Sequence, residues 1–164
     1  MSNAEISDVF LSRNKIDSIV NNLKNGSTIG IELGIDEKAS DALYSLGYGY
    51  FQQNNYEEAI KYFEYAFSIN HYDRRSLVAI GKCFKFLKNF GKAIDCLTLA
   101  QIYEPSDPIA AVDIAECLIY LRKFSEAKNL LILINNEFGK LESCKEAVDR
   151  SNALLQFIEK SFNS

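Results

Sequence analysis

Apolar residues between positions 40 and 141 recur with a period of 34. Three segments align without a gap: Ser40 to Asp73, Arg74 to Asp107, and Pro108 to Leu141. The first reads Leu43, Leu46-Gly47, Tyr50, Ala59, Phe63 and Ala66, and the second Leu77, Ile80-Gly81, Phe84, Ala93, Leu97 and Ala100. The third reads Ala111, Ile114-Ala115, Leu118, Ala127, Leu131 and Ile134. In each unit the apolar steps of three and four fall into two blocks, so each unit is expected to be a pair of helices. Polar pairs separate the blocks, Asn54-Asn55, Lys88-Asn89 and Arg122-Lys123, and each is followed by an aromatic residue, Tyr56, Phe90 or Phe124. These are turn signals. The pattern predicts that Gly47, Gly81 and Ala115 on the first helices face Ala59, Ala93 and Ala127 on the second, letting the axes approach closely.

One hairpin cannot cover its own apolar face, so such units stack and the terminal ones need caps. Residues 142–164 supply one, with Ala147, Val148, Leu154, Leu155, Ile158 and Phe162 along one helical stripe. Upstream, Ile6, Val9, Phe10, Ile16, Ile19, Val20 and Leu23 stand at helical spacing between Ala4 and Leu23, before the break Asn25-Gly26-Ser27. That stripe either caps the first unit or serves self-association, for which Phe10, Ile16, Ile19, Val20 and Leu23 are the candidates. The chain therefore reads as all-α: an N-terminal helix and lead-in over 1–39, three hairpins over 40–141 (40–73, 74–107, 108–141), and a capping helix over 142–164. The repeated residues occupy tetratricopeptide positions at the tetratricopeptide period. Departures are mild: Leu43, Leu77 and Ala111 stand where that pattern has Trp, Ala115 replaces Gly, and only the second unit closes with a proline, Pro105.

The first helix of the first unit carries more apolar surface than packing requires. Tyr44, Tyr48 and Phe51 form a second stripe at i, i+4 and i+7. In a stack of hairpins that stripe lines the inner surface, where the matching downstream positions are Val78, Lys82 and Lys85, then Val112, Glu116 and Ile119, with Ile109 and Phe86 nearby. The predicted groove is aromatic at one end, basic in the middle and aliphatic at the other. Either it binds an extended peptide, or the N-terminal helix or a second copy covers it. Tyrosine suits binding, offering a large contact area at low entropy cost and a hydroxyl that stays wet in the empty groove. Lys82 and Lys85 would hold peptide carbonyls or acidic side chains, or else stay solvated.

Composition removes other functions. The 164 residues carry 22 acidic against 18 basic side chains, a net charge of −4, which argues against nucleic acid as a partner. A single histidine, His71, rules out a His-pair metal site, and it falls in the turn between repeats, where packing or a helix-end hydrogen bond is the expected role. Cys83, Cys96, Cys117 and Cys144 are widely spaced and form no CxxC pair, as expected of reduced thiols in a cytoplasm. No apolar run approaches the ~20 residues of a spanning helix, and Glu5 and Asp8 stand where a secretory leader would be basic, so no membrane insertion is expected. Gly47-Tyr48-Gly49 lies inside a helix with no strand before it, and no Gly-Lys-Ser/Thr triplet exists. The residues point to a binding protein without catalytic residues, cofactor or metal.

A narrower likeness rests on Gly26-Ser27-Thr28-Ile29, Leu43-Tyr44-Ser45-Leu46, His71-Tyr72-Asp73 with Arg75, Gly81-Lys82-Cys83 and Ala115-Glu116-Cys117-Leu118. With the chain length and the helix order, these resemble the class II chaperones of bacterial type III secretion, the SycD/LcrH family. The resemblance implies a cytoplasmic, non-enzymatic chaperone that keeps hydrophobic translocator proteins soluble before export. It implies that a translocator segment of the form Pro-x-Leu-x-x-Pro enters the groove, with Tyr44, Tyr48 and Phe51 matching the family's groove aromatics. It also implies a homodimer through the N-terminal region and, in some members, assistance to a transcriptional activator. A generic tetratricopeptide adaptor is the alternative, but such adaptors usually place Lys, Arg and Asn where this chain has tyrosines.

Overall fold

The computed structural model describes residues 13–162, and these form a stack of helices with no strand among the described residues. In chain order the helices are α1 (Arg13–Lys24), the single turn α2 (Ile29–Glu32), α3 (Glu37–Gln52), α4 (Tyr56–Ile69), α5 (Arg74–Phe86), α6 (Phe90–Tyr103), α7 (Ile109–Tyr120), α8 (Phe124–Phe138) and α9 (Lys145–Phe162). Each of α4 to α9 packs on its predecessor, α2 packs on α4, and α9 reaches back to α7. The three hairpins are α3–α4, α5–α6 and α7–α8, and α9 follows as a seventh helix of the same series.

The 34-residue period is written in the backbone as well as in the side chains. Asn54, Lys88 and Arg122 all take left-handed conformations, with φ of 59°, 60° and 62°. In each turn the amide of the following residue reaches back five positions, Asn55 to the Tyr50 carbonyl, Asn89 to Phe84 and Lys123 to Leu118. This is the Schellman closure, which satisfies carbonyls that a helix end would leave unpaired. The next helix then starts on a side-chain cap in two units, Asn55 accepting from the Glu58 amide and Asn89 from that of Lys92. Such caps contribute about 1 kcal/mol each.

The small residues set the spacing between helices: Gly81 meets the predicted Ala93 at its carbonyl, 3.4 Å from where a Cβ would stand, but the nearest atoms belong to larger residues. A Cβ on Gly47 would lie 2.9 Å from the Phe63 ring, and one on Gly81 would lie 2.7 Å from Leu97 Cγ. Each glycine thus makes room for the large residue one turn beyond Ala59 or Ala93, and Phe63 and Leu97 are fully buried as a result. The core divides into two clusters. One gathers Ala59, Ile60, Phe63, Ile80 and Cys83 around the first hairpin. The other runs from Leu77 and Leu97 through α7 to Leu131, Ala147 and Ile158.

At the N-terminal end the lead-in docks on the first hairpin through Gly30, where a Cβ would come within 2.6 Å of Ile69. Glu32 ties it down by accepting from Ser27 Oγ at 2.6 Å and Asn22 at 3.1 Å. Helix α1 holds Ile16 and Val20 exposed, with Ile19 and Leu23 half-buried. Ile6, Val9 and Phe10 lie outside the described residues, as does the side chain of Phe162. Leu46, expected to pack, is exposed.

Candidate peptide-binding groove

The first helices of the hairpins and α9 enclose a cleft of about 520 Å³. Seven of the residues expected to form a groove line it: Tyr44, Tyr48 and Phe51 of α3, Val78, Lys82 and Lys85 of α5, and Ile109 of α7. One wall is aromatic. The Tyr44 ring lies 5.2 Å from that of Phe63, Tyr48 stacks on Phe51 at 6.2 Å, and Phe51 meets Phe86 edge-on at 5.6 Å. Phe86 in turn stacks on Tyr56 at 5.0 Å. Tyr48 remains 48% exposed, so much of this wall faces water. The Arg75 guanidinium stands 5.1 Å over the Tyr44 ring, and burial pushes the Tyr44 hydroxyl up from its ordinary value.

The floor is a charge network rather than a basic strip. Lys85 Nζ lies 2.5 Å from Asp113 Oδ1 and 2.7 Å from Glu116 Oε2. Arg150 of α9 reaches the same two carboxylates at 2.9 and 2.7 Å. Burial alone would push the Asp113 carboxyl up, but the Lys85 ammonium and the Arg150 guanidinium outweigh it and hold the carboxyl below its ordinary value. Burial likewise works against the charge on Lys85, and the two carboxylates overcome it. Lys85 is therefore spent on its own chain and is not free to grip a ligand. Lys82 is the looser neighbour, partly exposed and 4.0 Å from Asp113 Oδ2.

Two expected groove residues lie elsewhere. Val112 is fully buried because α9 covers α7 and turns that side of the helix into core. Ile119 is nearly buried and borders a separate cleft with Tyr120, Leu154 and Phe157. Of the aliphatic residues expected at the far end, Ile109 lines the main cleft and Val112 and Ile119 do not. Arg74, Asp113 and Arg150, which the sequence reading did not single out, border the main cleft. A signal was present for Asp113, the only charge in the apolar run from Ile109 to Ala115.

The remaining chemistry is quiet. Burial pushes the Cys83 thiol up to about 12 and that of Cys117 up to about 11, so both are protonated at neutral pH. Among the described residues no group of side chains has the makings of a metal site, and no helix is long and apolar enough to cross a membrane.

Stacked helical hairpins around an open cleft walled by aromatic side chains make up a tetratricopeptide-like helical fold. The tetratricopeptide repeat model matches residues 40–73, the first hairpin. Low calcium response locus protein H of Yersinia pestis is 28% identical over 137 residues, covering 84% of this chain and 82% of that protein. The Yersinia enterocolitica type III secretion translocator chaperone SycD superposes with a TM-score of 0.74 at 27% identity, over 80% of this chain and 98% of that one. SycD in complex with a peptide of the translocator YopD matches at a TM-score of 0.68 and 26% identity, over 74% and 92% of the two chains. The chain is similar to these type III secretion proteins over most of its length.

Proposed function

We propose that this chain is a chaperone of a type III secretion system that holds a hydrophobic translocator by an extended segment laid in the α3–α5–α7 cleft. The observation that carries the reading is the wall of Tyr44, Tyr48 and Phe51, which borders a cleft open to solvent and is not consumed by the core. The solved relative that carries a translocator peptide supports the same occupant. An extended segment stiffened by proline loses little entropy on docking, and its apolar anchors supply most of the affinity. The work needs no catalytic residue, and the buried, protonated thiols agree with a reducing cytoplasm.

Self-association belongs to the same reading. Ile16 and Val20 on α1, with Ile29, Ile31 and Leu33 of the lead-in, leave an aliphatic surface exposed at the N-terminal end, and a second copy is the partner that fits it. The first hairpin carries the tyrosine wall in place of a basic clamp, which disfavours a generic adaptor for acidic C-termini.

The test is co-purification with a candidate translocator, read as binding affinity. Tyr48→Ala and Phe51→Ala should each weaken binding by roughly 1 to 3 kcal/mol, as central aromatic anchors do. Both variants should keep the helical circular dichroism of the parent. Unchanged affinity in both would remove the groove from the binding site.

A further inference from the structure

Beyond the main cleft, the edge of the stack where each first helix turns into the second carries two further clefts, which share Lys85, Phe86, Glu116 and Ile119 with the expected groove and extend to the turn residues Lys88 and Arg122. One, of about 610 Å³, is bordered by Phe86, Lys88, Phe90 and Tyr120 and adjoins the main cleft at Lys85 and Phe86. The other, of about 490 Å³, lies one repeat further on between Tyr120, Arg122, Phe124 and Phe157. Tyr120 stands between them, 66% exposed and stacked flat on Phe90 at 4.7 Å. Phe86 and Phe157 are also more than half exposed. The two sites repeat each other: Phe86, Lys88 and Phe90 correspond at 34 residues to Tyr120, Arg122 and Phe124.

The cations give this edge its character. Lys88 and Arg122 occupy the left-handed turn positions, where a glycine or asparagine sits at lower cost, and the first repeat does have Asn54 there. Neither cation has an ion-pair partner among the described residues, and Arg122 rests only over the Phe124 ring at 5.8 Å. Glu116, the one carboxylate bordering either cleft, is already neutralised by Lys85 and Arg150. With Glu116 and Lys85 already paired, Lys88 and Arg122 leave the edge positive on a chain whose net charge is −4.

We propose that this edge is a second docking site, beside the groove, for an acidic segment of a partner protein whose apolar side chains enter the two clefts and whose carboxylates meet Lys88 and Arg122. Exposed aromatics provide contact area at low entropy cost, and the unpaired cations select by charge. Two cations are too few to hold a nucleic acid phosphate backbone against the acidity of the whole chain, which favours a peptide.

Fluorescence anisotropy on the full chain tests this with three labelled probes: a twelve-residue peptide alternating Asp with Leu and Phe, its counterpart with Asn for Asp, and a single-stranded oligonucleotide of similar length. The acidic peptide should bind most tightly, and its affinity should fall as salt is raised. Lys88→Glu with Arg122→Glu, and separately Tyr120→Ser, should each weaken it tenfold or more with helical content unchanged. Tyr48→Ala, in the groove and bordering neither further cleft, should leave it within twofold, which separates failure of this site from failure of the groove. Equal binding of the Asn peptide, preference for the oligonucleotide, or loss only in the groove variant would overturn the proposal.

Discussion

Asp113 is 1% exposed, yet it carries a charge shared between Lys85 and Arg150. A buried carboxylate persists only when its partners repay the lost hydration, and removing one member strands the others. Asp113→Asn should therefore cost about 3 kcal/mol at neutral pH, measured by urea unfolding. The pH dependence follows from the sign of the shift. The folded carboxyl is held below its ordinary 3.8, so its contribution is present above that value and fades as the pH falls through the lower, folded one. Lys85, raised above 10.5, mirrors it at the alkaline end, contributing below 10.5 and losing its contribution above. The stability gap between parent and Asp113→Asn should accordingly narrow as acidification passes below about pH 4. A gap of constant size from pH 7 to pH 3 would show that the charge contributes nothing to folding.

At the scale of single helices, glycine has two opposite roles within α3. A Cβ on Gly47 would press on the buried Phe63 ring at 2.9 Å, whereas one on Gly49 meets nothing within 4 Å. Gly49→Ala should gain roughly 0.5 to 1 kcal/mol from helix propensity. Gly47→Ala should lose about 1 kcal/mol or more, since overpacking outweighs the same gain. Opposite shifts in thermal midpoint, two residues apart on one helix, would establish that Gly47 sets the α3–α4 distance. The hairpins and their turns were legible in the sequence because a local period encodes them: each polar pair fell on a left-handed turn, and Gly47 and Gly81 on close approaches. Val112 and Leu46 were not legible, because their burial depends on neighbours that no local period specifies. Helix α9 closes over Val112, while the lead-in leaves Leu46 open. The aromatic wall could be read because its three side chains share one helix. The charged floor could not, since Lys85, Asp113 and Arg150 come from three helices and meet only when those helices stack.

For the molecule as a whole, the decisive element is α9. Helix α7 is buried along nearly its full length, an unusual state for a helix bordering a cleft, and α9 is what covers its far side. Ala147 and Ile158 belong to the same core as Leu118 and Leu131, Ser151 donates to the Leu131 carbonyl at 3.2 Å, and Arg150 joins Lys85 in holding Asp113 and Glu116. Stability in a stacked-repeat protein is close to a sum of unit and interface contributions, so losing a terminal interface acts first on the unit it covered. Ending the chain at Leu141 should therefore unfold α7 and α8 in preference to α3 and α4. Hydrogen exchange should show protection lost across 109–138 and largely retained across 37–69. Ile158→Ala, which opens a cavity at the same interface at a cost of about 2 to 5 kcal/mol, should weaken protection in the same region without abolishing it. Equal loss in all three hairpins would mean that the stack folds as one cooperative unit, and unchanged protection in α7 would mean that the cap is dispensable.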